Sequence, residues 1–153
     1  MARIDSVEIR KENGRPYPTF VLRWDPPLTP GDRQPRTLDF RLVRALLAVR
    51  DGRCEWYLAR SYFYGLGSAH WEARCHVYGL GFGAMYDLQN LQLVEGEPRD
   101  RTCRANTQPM HITPLGKAVL AQILGHPDVE FDDPDEEYDV PVTRRTAGGD
   151  ERV

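Results

Sequence analysis

Apolar positions recur along this chain with two different periods, and the switches between them mark out its elements. Val7 and Ile9 alternate with Glu8 and Arg10, and Phe20, Leu22 and Trp24 alternate with Val21 and Arg23. A period of two places one set of side chains on a buried face. Residues 4–24 are therefore expected to form a β-hairpin. Asn13-Gly14 supplies the positive φ angles of its tight turn, and Pro16 and Pro18 make its second strand a ragged edge. The run Asp25 to Gly31, with three prolines, ends that strand. The period then changes. Leu38, Leu42, Ala45, Leu46 and Val49 share one helical face, which Phe40, Val43 and Leu47 widen, so the spacing predicts a helix over 37–50 that is buried on more than one side. Thr37 is its expected cap, Asp39 suits the positive end of the helix dipole, and Asp51-Gly52 ends it.

Residues 54–79 admit two readings. Trp56, Ala59, Tyr62 and Phe63 fit helical spacing, and Ser68 can cap a second helix after the break at Gly65-Leu66-Gly67. Two short helices are the favoured reading. A β-hairpin pairing 54–64 with 70–78 is the alternative, since aromatic residues also favour strands. Beyond Gly79-Leu80-Gly81, residues 82–92 read as a helix with Met85, Leu88 and Leu91 facing inward. A polar, arginine-bearing insert (95–107) follows, and an extended return (107–112) leads to the clearest helix in the chain. Thr113 caps that helix, Pro114 occupies the position where a missing N–H costs nothing, and Ile112, Leu115, Val119, Leu120, Ile123 and Leu124 line one face. Gly125 is expected as a left-handed stop before Pro127. No internal repeat is evident.

Charge divides the chain differently. Residues 1–126 carry 17 basic and 13 acidic side chains, whereas residues 127–153 carry 3 and 10. A mildly basic body of one domain, its N-terminal hairpin lying within residues 1–36, thus precedes an acidic tail whose proline and scarce large apolar residues predict disorder. Val129, Phe131, Tyr138 and Val140 are the tail residues that could dock on the body, and RRTAGGDERV reads as plain tail. Eighteen of the 20 basic residues are Arg, a side chain suited to phosphate. No apolar run approaches the about 18 residues of a membrane span, and the first residues lack a signal-peptide pattern, so a cytoplasmic protein without membrane contact is expected. Cys54, Cys75 and Cys103 are an odd number at uneven spacing and are read as reduced thiols.

The segment from Leu80 to Leu124 carries a resemblance. GLGFGAMYDLQNLQLVEG is similar to the turn, recognition helix and leucine-rich exit of the winged helix-turn-helix DNA-binding superfamily, in the manner of MarR- and PadR-type regulators, and ITPLGKAVL is similar to their strand-to-helix junction after the wing. The helix at 37–50 would match their first core helix, so the likeness covers residues 37–125. It implies an α+β fold: a winged helix-turn-helix core with an added N-terminal β-hairpin and a disordered acidic tail. It also implies a transcriptional regulator without enzymatic activity that binds double-stranded DNA, in dimeric form. Residues 82–90 would enter the major groove and the 95–107 hairpin would lie along the backbone or minor groove. Tyr86, Gln89 and Asn90 would then face bases, and Arg99, Arg101 and Arg104 with Arg74 (and Arg60 nearby) would contact phosphates.

The candidate recognition helix departs from that pattern: it has no Lys or Arg and carries Asp87. This departure, with the acidic tail, motivates a reading from another class. In it the chain is a protein-interaction module, of the kind phages or mobile elements encode, that blocks a basic nucleic-acid-binding protein through acidic surface. Enzyme signatures such as a P-loop, G-x-S-x-G or H-E-x-x-H are missing from the sequence. Cys54, His70, Cys75, His76, Cys103 and His111 lack the spacing of zinc ligands, and neither metal nor cofactor is expected. The aromatic cluster of Trp56, Tyr57, Tyr62, Phe63, Tyr64, Trp71 and Tyr78 is expected in a core or dimer interface rather than stacked on bases.

Overall fold

A computed structural model describes residues 2–12, 15–63, 66–77, 80–99, 106–127, 129–131, 142–146 and 149–152. The fold is mixed α+β, with three helices and three antiparallel three-stranded sheets among these residues. Strand β1 (Ala2–Glu12) pairs with β2 (Arg15–Trp24) through almost their whole length, Glu12 opposite Arg15. The expected hairpin is thus formed; its turn residues Asn13 and Gly14 lie outside the described residues. Phe20, Leu22 and Trp24 are buried while Arg23 is exposed, as their alternation requires. A third strand, β3 (Arg36–Leu38), pairs with β2 and buries Leu38.

That third strand corrects the start of the first helix. Thr37 pairs with Val21 and caps nothing. Helix α1 runs Phe40–Arg50, and the Asp39 carboxylate accepts the Leu42 N–H at 3.0 Å. An aspartate at this position satisfies an otherwise unpaired amide as well as a threonine would, and its charge suits the helix dipole. Eight of the eleven α1 residues are buried, including Val43, Ala45, Leu46 and Ala48 at 0% exposure, so α1 is the central rod of the core. Asp51 and Gly52, the latter at φ +73°, turn the chain out of it.

The segment that follows is not helical. Strand β4 (Cys54–Phe63) pairs with β5 (Leu66–Cys75), and β6 (Thr107–Pro109) joins the other edge of β4. Cys54, Trp56 and Leu58 of β4 and Trp71 and Ala73 of β5 are buried, with Glu72 and Arg74 exposed between the latter. The two short helices favoured from the sequence are therefore replaced by a hairpin, as in the alternative, but with its second strand at Leu66–Cys75 rather than 70–78. Its aromatic residues fit both periods, but only the period of two gives every buried residue a neighbour on the same face.

Helix α2 (Phe82–Asn90) buries Ala84, Met85 and Leu88, and Leu91 and Leu93 continue that apolar side beyond it. A short antiparallel contact joins its exit to the chain returning from the insert: Val94 bridges to Ile112, and Glu95 N–H donates to His111 O at 2.8 Å. Helix α3 (Pro114–Leu124) is capped by Thr113, whose hydroxyl accepts the Gly116 N–H at 3.0 Å, with Pro114 in the first turn. Gly125 does close α3, but at φ −96° rather than in the left-handed region expected of it. Gln122 of α3 ties the N-terminal strand to the core, accepting from Ile4 N–H and donating to Ala2 O. Hairpin, helices and β4–β5 share one hydrophobic cluster.

Of residues 127–153, the structure describes Pro127 and three short strands, β7 (Val129–Phe131), β8 (Val142–Thr146) and β9 (Gly149–Arg152), which form the third sheet. Val129, one of the tail residues able to dock, is buried; the acidic run 132–140 lies outside the described residues. No described helix is long and apolar enough to cross a membrane.

Two glycines test this packing in opposite directions. A Cβ on Gly116 would lie 2.0 Å from the Leu93 carbonyl oxygen, whereas one on Gly83, in α2, would meet nothing within 4 Å. Gly116→Ala is expected to destabilise the protein by about 3 kcal/mol, because backbone cannot yield as a side chain can. Gly83→Ala is expected to stabilise it by about 0.5–1 kcal/mol through helix propensity. Denaturant titration of the two variants checks both signs.

Candidate interaction surface

The outer side of α2 is what the sequence offers as a binding surface, and its composition follows from the helix period. With Ala84, Met85 and Leu88 turned inward, Gly83, Asp87 and Asn90 fall on the exposed side. Tyr86 and Gln89 lie at the boundary and are half-buried. The Tyr86 ring meets Trp56 of β4 edge-on, with centroids 6.2 Å apart, and Gln89 lies over Gly96, its amide nitrogen 3.2 Å from where a Cβ would stand there. Of the three residues expected to face bases, only Asn90 is fully exposed; the other two spend much of their surface on intramolecular packing.

The charge on α2 itself is committed to a pair. Asp87 pairs with Arg41 of α1 at 2.8 Å, and Arg41 also lies 4.0 Å from Asp39. The side chains of the Arg41–Asp87 pair are 47% and 49% exposed, so solvent screens the pair and its worth is that of a surface ion pair. Its consequence is local neutrality: Arg41, beside the helix face, already has its counter-ion. Past the helix, Glu95 and Glu97 are exposed, followed by exposed Arg99. Arg101 and Arg104 lie outside the described residues.

Arg74 is not part of this surface. Trp56 and Ala73 sit opposite one another on the buried face of the β4–β5 sheet, where Trp56 touches α2. Arg74 is one residue further along and therefore points from the other face, where its guanidinium lies 4.2 Å above the Tyr57 ring. Arg74 was expected beside the arginines of the insert as a phosphate contact; the structure places it on the sheet face opposite Trp56.

The sheet face carrying Arg74 is a polar surface the sequence reading missed. His70 contacts Glu72 at 2.9 Å and His76 contacts Glu55 at 3.0 Å, each between ring Nε2 and a carboxylate oxygen. Glu55, Tyr57, Glu72 and Arg74 share this face, and the signal was present in the alternation of these residues with Cys54, Trp56, Leu58, Trp71 and Ala73. On the buried face, at the base of the hairpin, Cys54 and Cys75 stand directly opposite each other as free thiols.

No family model matches the chain, and neither a curated protein nor a solved structure is significantly similar to it.

The Arg41–Asp87 pair is expected to contribute little to stability. A double-mutant cycle with Arg41→Ala and Asp87→Ala, read by chemical denaturation, should give a coupling of about 0.2–1 kcal/mol that shrinks as salt is added. A coupling that is larger and unmoved by salt would mean the pair is desolvated and fixes the angle between α1 and α2.

Proposed function

We propose that this chain is a non-catalytic interaction module whose acidic surface engages a basic, nucleic-acid-binding protein. The observation that carries this reading is the state of Arg41: the cation beside the exposed side of α2 is neutralised by Asp87 of that same helix. Affinity for duplex DNA comes mainly from cations that neutralise phosphates. With Arg41 and Asp87 neutralising each other, this helix face offers no cation to a phosphate backbone, and exposed Glu95 beyond it would instead favour an arginine-rich surface. The excess of acid over base in residues 127–153 adds to that field.

The scaffold of this module is winged-helix-like in its second half. Three features support that description: α2, the antiparallel contact of Val94 with Ile112, and the Thr113-capped α3 follow one another in the order of recognition helix, wing and terminal helix. What differs is the approach to α2. A helix-turn-helix needs two helices in succession, and here α2 follows the strand β5.

A second reading retains double-stranded DNA, bound by a dimer, as the partner and a regulator as the role. It draws on exposed Asn90, a residue able to pair bidentately with adenine, and on exposed Arg99 at the start of the arginine-bearing insert.

Fluorescence anisotropy of the full chain separates the two. With a labelled arginine-rich peptide, binding is expected at low salt, weakening as salt rises. It should fall by about tenfold or more when Asp128, Asp132, Asp133, Asp135 and Asp139 are replaced by Asn. With labelled random duplex DNA, no binding is expected even at low salt. Salt-dependent DNA binding that is lost on replacing Arg99, Arg101 and Arg104 with Ala would transfer the conclusion to the second reading.

A further inference from the structure

The base of the β4–β5 hairpin holds two thiols in a relation that neither reading above uses. Cys54 is the first residue of β4 and Cys75 the last of β5, and the register sets them directly opposite each other. The backbone of Cys54 faces the other way: its carbonyl accepts the Met110 N–H at 3.2 Å, toward the β6 side. One step along, His76 N–H donates to Arg53 O at 2.9 Å. Cys54 and Cys75 therefore occupy a non-hydrogen-bonded position of the antiparallel ladder. At such positions opposed Cα atoms lie about 4.5 Å apart, closer than at the hydrogen-bonded positions. That separation falls within the range of about 4.4–6.8 Å that a disulfide spans. The two thiols are close enough to shift each other's titration in opposite directions.

The two sulfurs differ in access and in charge. Cys54 is buried at 2% exposure and Cys75 is half-buried, so an incoming reagent meets Cys75 first. The hydrogen bond from Cys54 lowers the Cys75 thiol to about 6, helped by the Val77 N–H, His76 and Arg53, against the opposing effect of burial. The same hydrogen bond and burial push the Cys54 thiol up, so Cys54 keeps its proton. Arg53 and His76 flank the pair, and Glu55, bound to His76, is the nearby carboxylate.

We propose that Cys54 and Cys75 form a reversible two-cysteine redox site, with Cys75 the thiolate that reacts with a hydroperoxide and Cys54 the thiol that resolves it. With hydrogen peroxide, the Cys75 sulfur attacks one peroxide oxygen. The S–O bond forms, the O–O bond breaks, and the departing hydroxide takes a proton to leave as water, giving Cys75 sulfenic acid. The Cys54 sulfur then attacks the Cys75 sulfur. The S–S bond forms, the S–O bond breaks, and the hydroxyl leaves as water with the Cys54 proton. In sum two thiols lose two electrons and one peroxide becomes two waters; an external dithiol returns the pair to the reduced state by exchange.

The test uses the full chain with Cys103→Ser, which leaves these two thiols alone. After brief treatment with hydrogen peroxide, intact mass spectrometry should show loss of two hydrogens, digestion should yield a linked Cys54–Cys75 peptide, and dithiothreitol should reverse both. In that background Cys54→Ser should trap dimedone at Cys75 about tenfold more than Cys75→Ser traps it at Cys54. Should either serine variant fail to fold, the pH dependence of alkylation of the two-thiol protein keeps the proposal testable. Labelling at Cys75 should be half-maximal near pH 6 and level at higher pH, whereas an ordinary thiol would still be rising beyond pH 8. Two freely alkylatable thiols after peroxide, accumulation of Cys75 sulfinic acid in place of the disulfide, or preferential trapping at Cys54 would each overturn the proposal.

Discussion

The close seat of Gly116 on the Leu93 carbonyl is the contact on which the arrangement of helices depends. No larger residue fits there, because the space a Cβ would need is filled by the Leu93 backbone and by the Ile112 side chain. Around it the chain is locked by hydrogen bonds. Thr113 N–H donates to Leu93 O, the Thr113 hydroxyl donates to Gln92 O at 2.7 Å, and the same hydroxyl accepts from Gly116 N–H. Gln92 takes φ +60° to present its carbonyl, a left-handed conformation that costs a non-glycine residue about 1 kcal/mol or more. One threonine thus caps α3 and fastens it to the exit of α2. Both helices then pack on α1, whose burial on several sides leaves it no freedom to compensate for a shift of either.

Local signals were the legible ones. The alternation in residues 4–24, the apolar stripes of the helices and the Thr113-Pro114 start of α3 are each written within a few turns of chain, and each is present, although α1 starts later than expected, at Phe40. The Thr113–Gly116 junction could be seen in the sequence, but the reason for its glycine could not, since Leu93 comes from a different element. Where local signals were ambiguous, long-range pairing decided. Thr37 has the chemistry of a cap, yet its backbone pairs with Val21, and the cap passes to Asp39. In residues 54–75, side chains that fit either period were sorted by strand partners the sequence does not reveal, and helix propensity lost to sheet packing.

The candidate surface was legible only as a composition. Asp87 stood out in the sequence as an acid on a helix expected to meet DNA. Its partner Arg41 lies 46 residues earlier, in a helix read as core, and nothing in the spacing links them. Pairing changes what both residues mean: an exposed acid and an exposed base become a neutral patch, and the helix face loses a cation it could have borrowed. The half-burial of Tyr86 and Gln89 has the same origin, in neighbours from β4 and from the insert.

A single change of element type accounts for most of what shifted functionally. As helices, residues 54–79 would have left Cys54 and Cys75 on separate elements with no reason to meet. As a hairpin, the same residues obey a two-residue alternation and a fixed register. The alternation turns Arg74 to the sheet face opposite Trp56, where it lies over the Tyr57 ring. The register brings two cysteines, 21 positions apart, onto one rung. That rung stands where the chain leaves α1 and shortly before it enters α2, so whatever holds the two strands together there acts at the root of both helices. A covalent bond at that point would restrain the unfolded chain more than the native one, which makes the oxidation state of the pair a determinant of how firmly the acidic face is held.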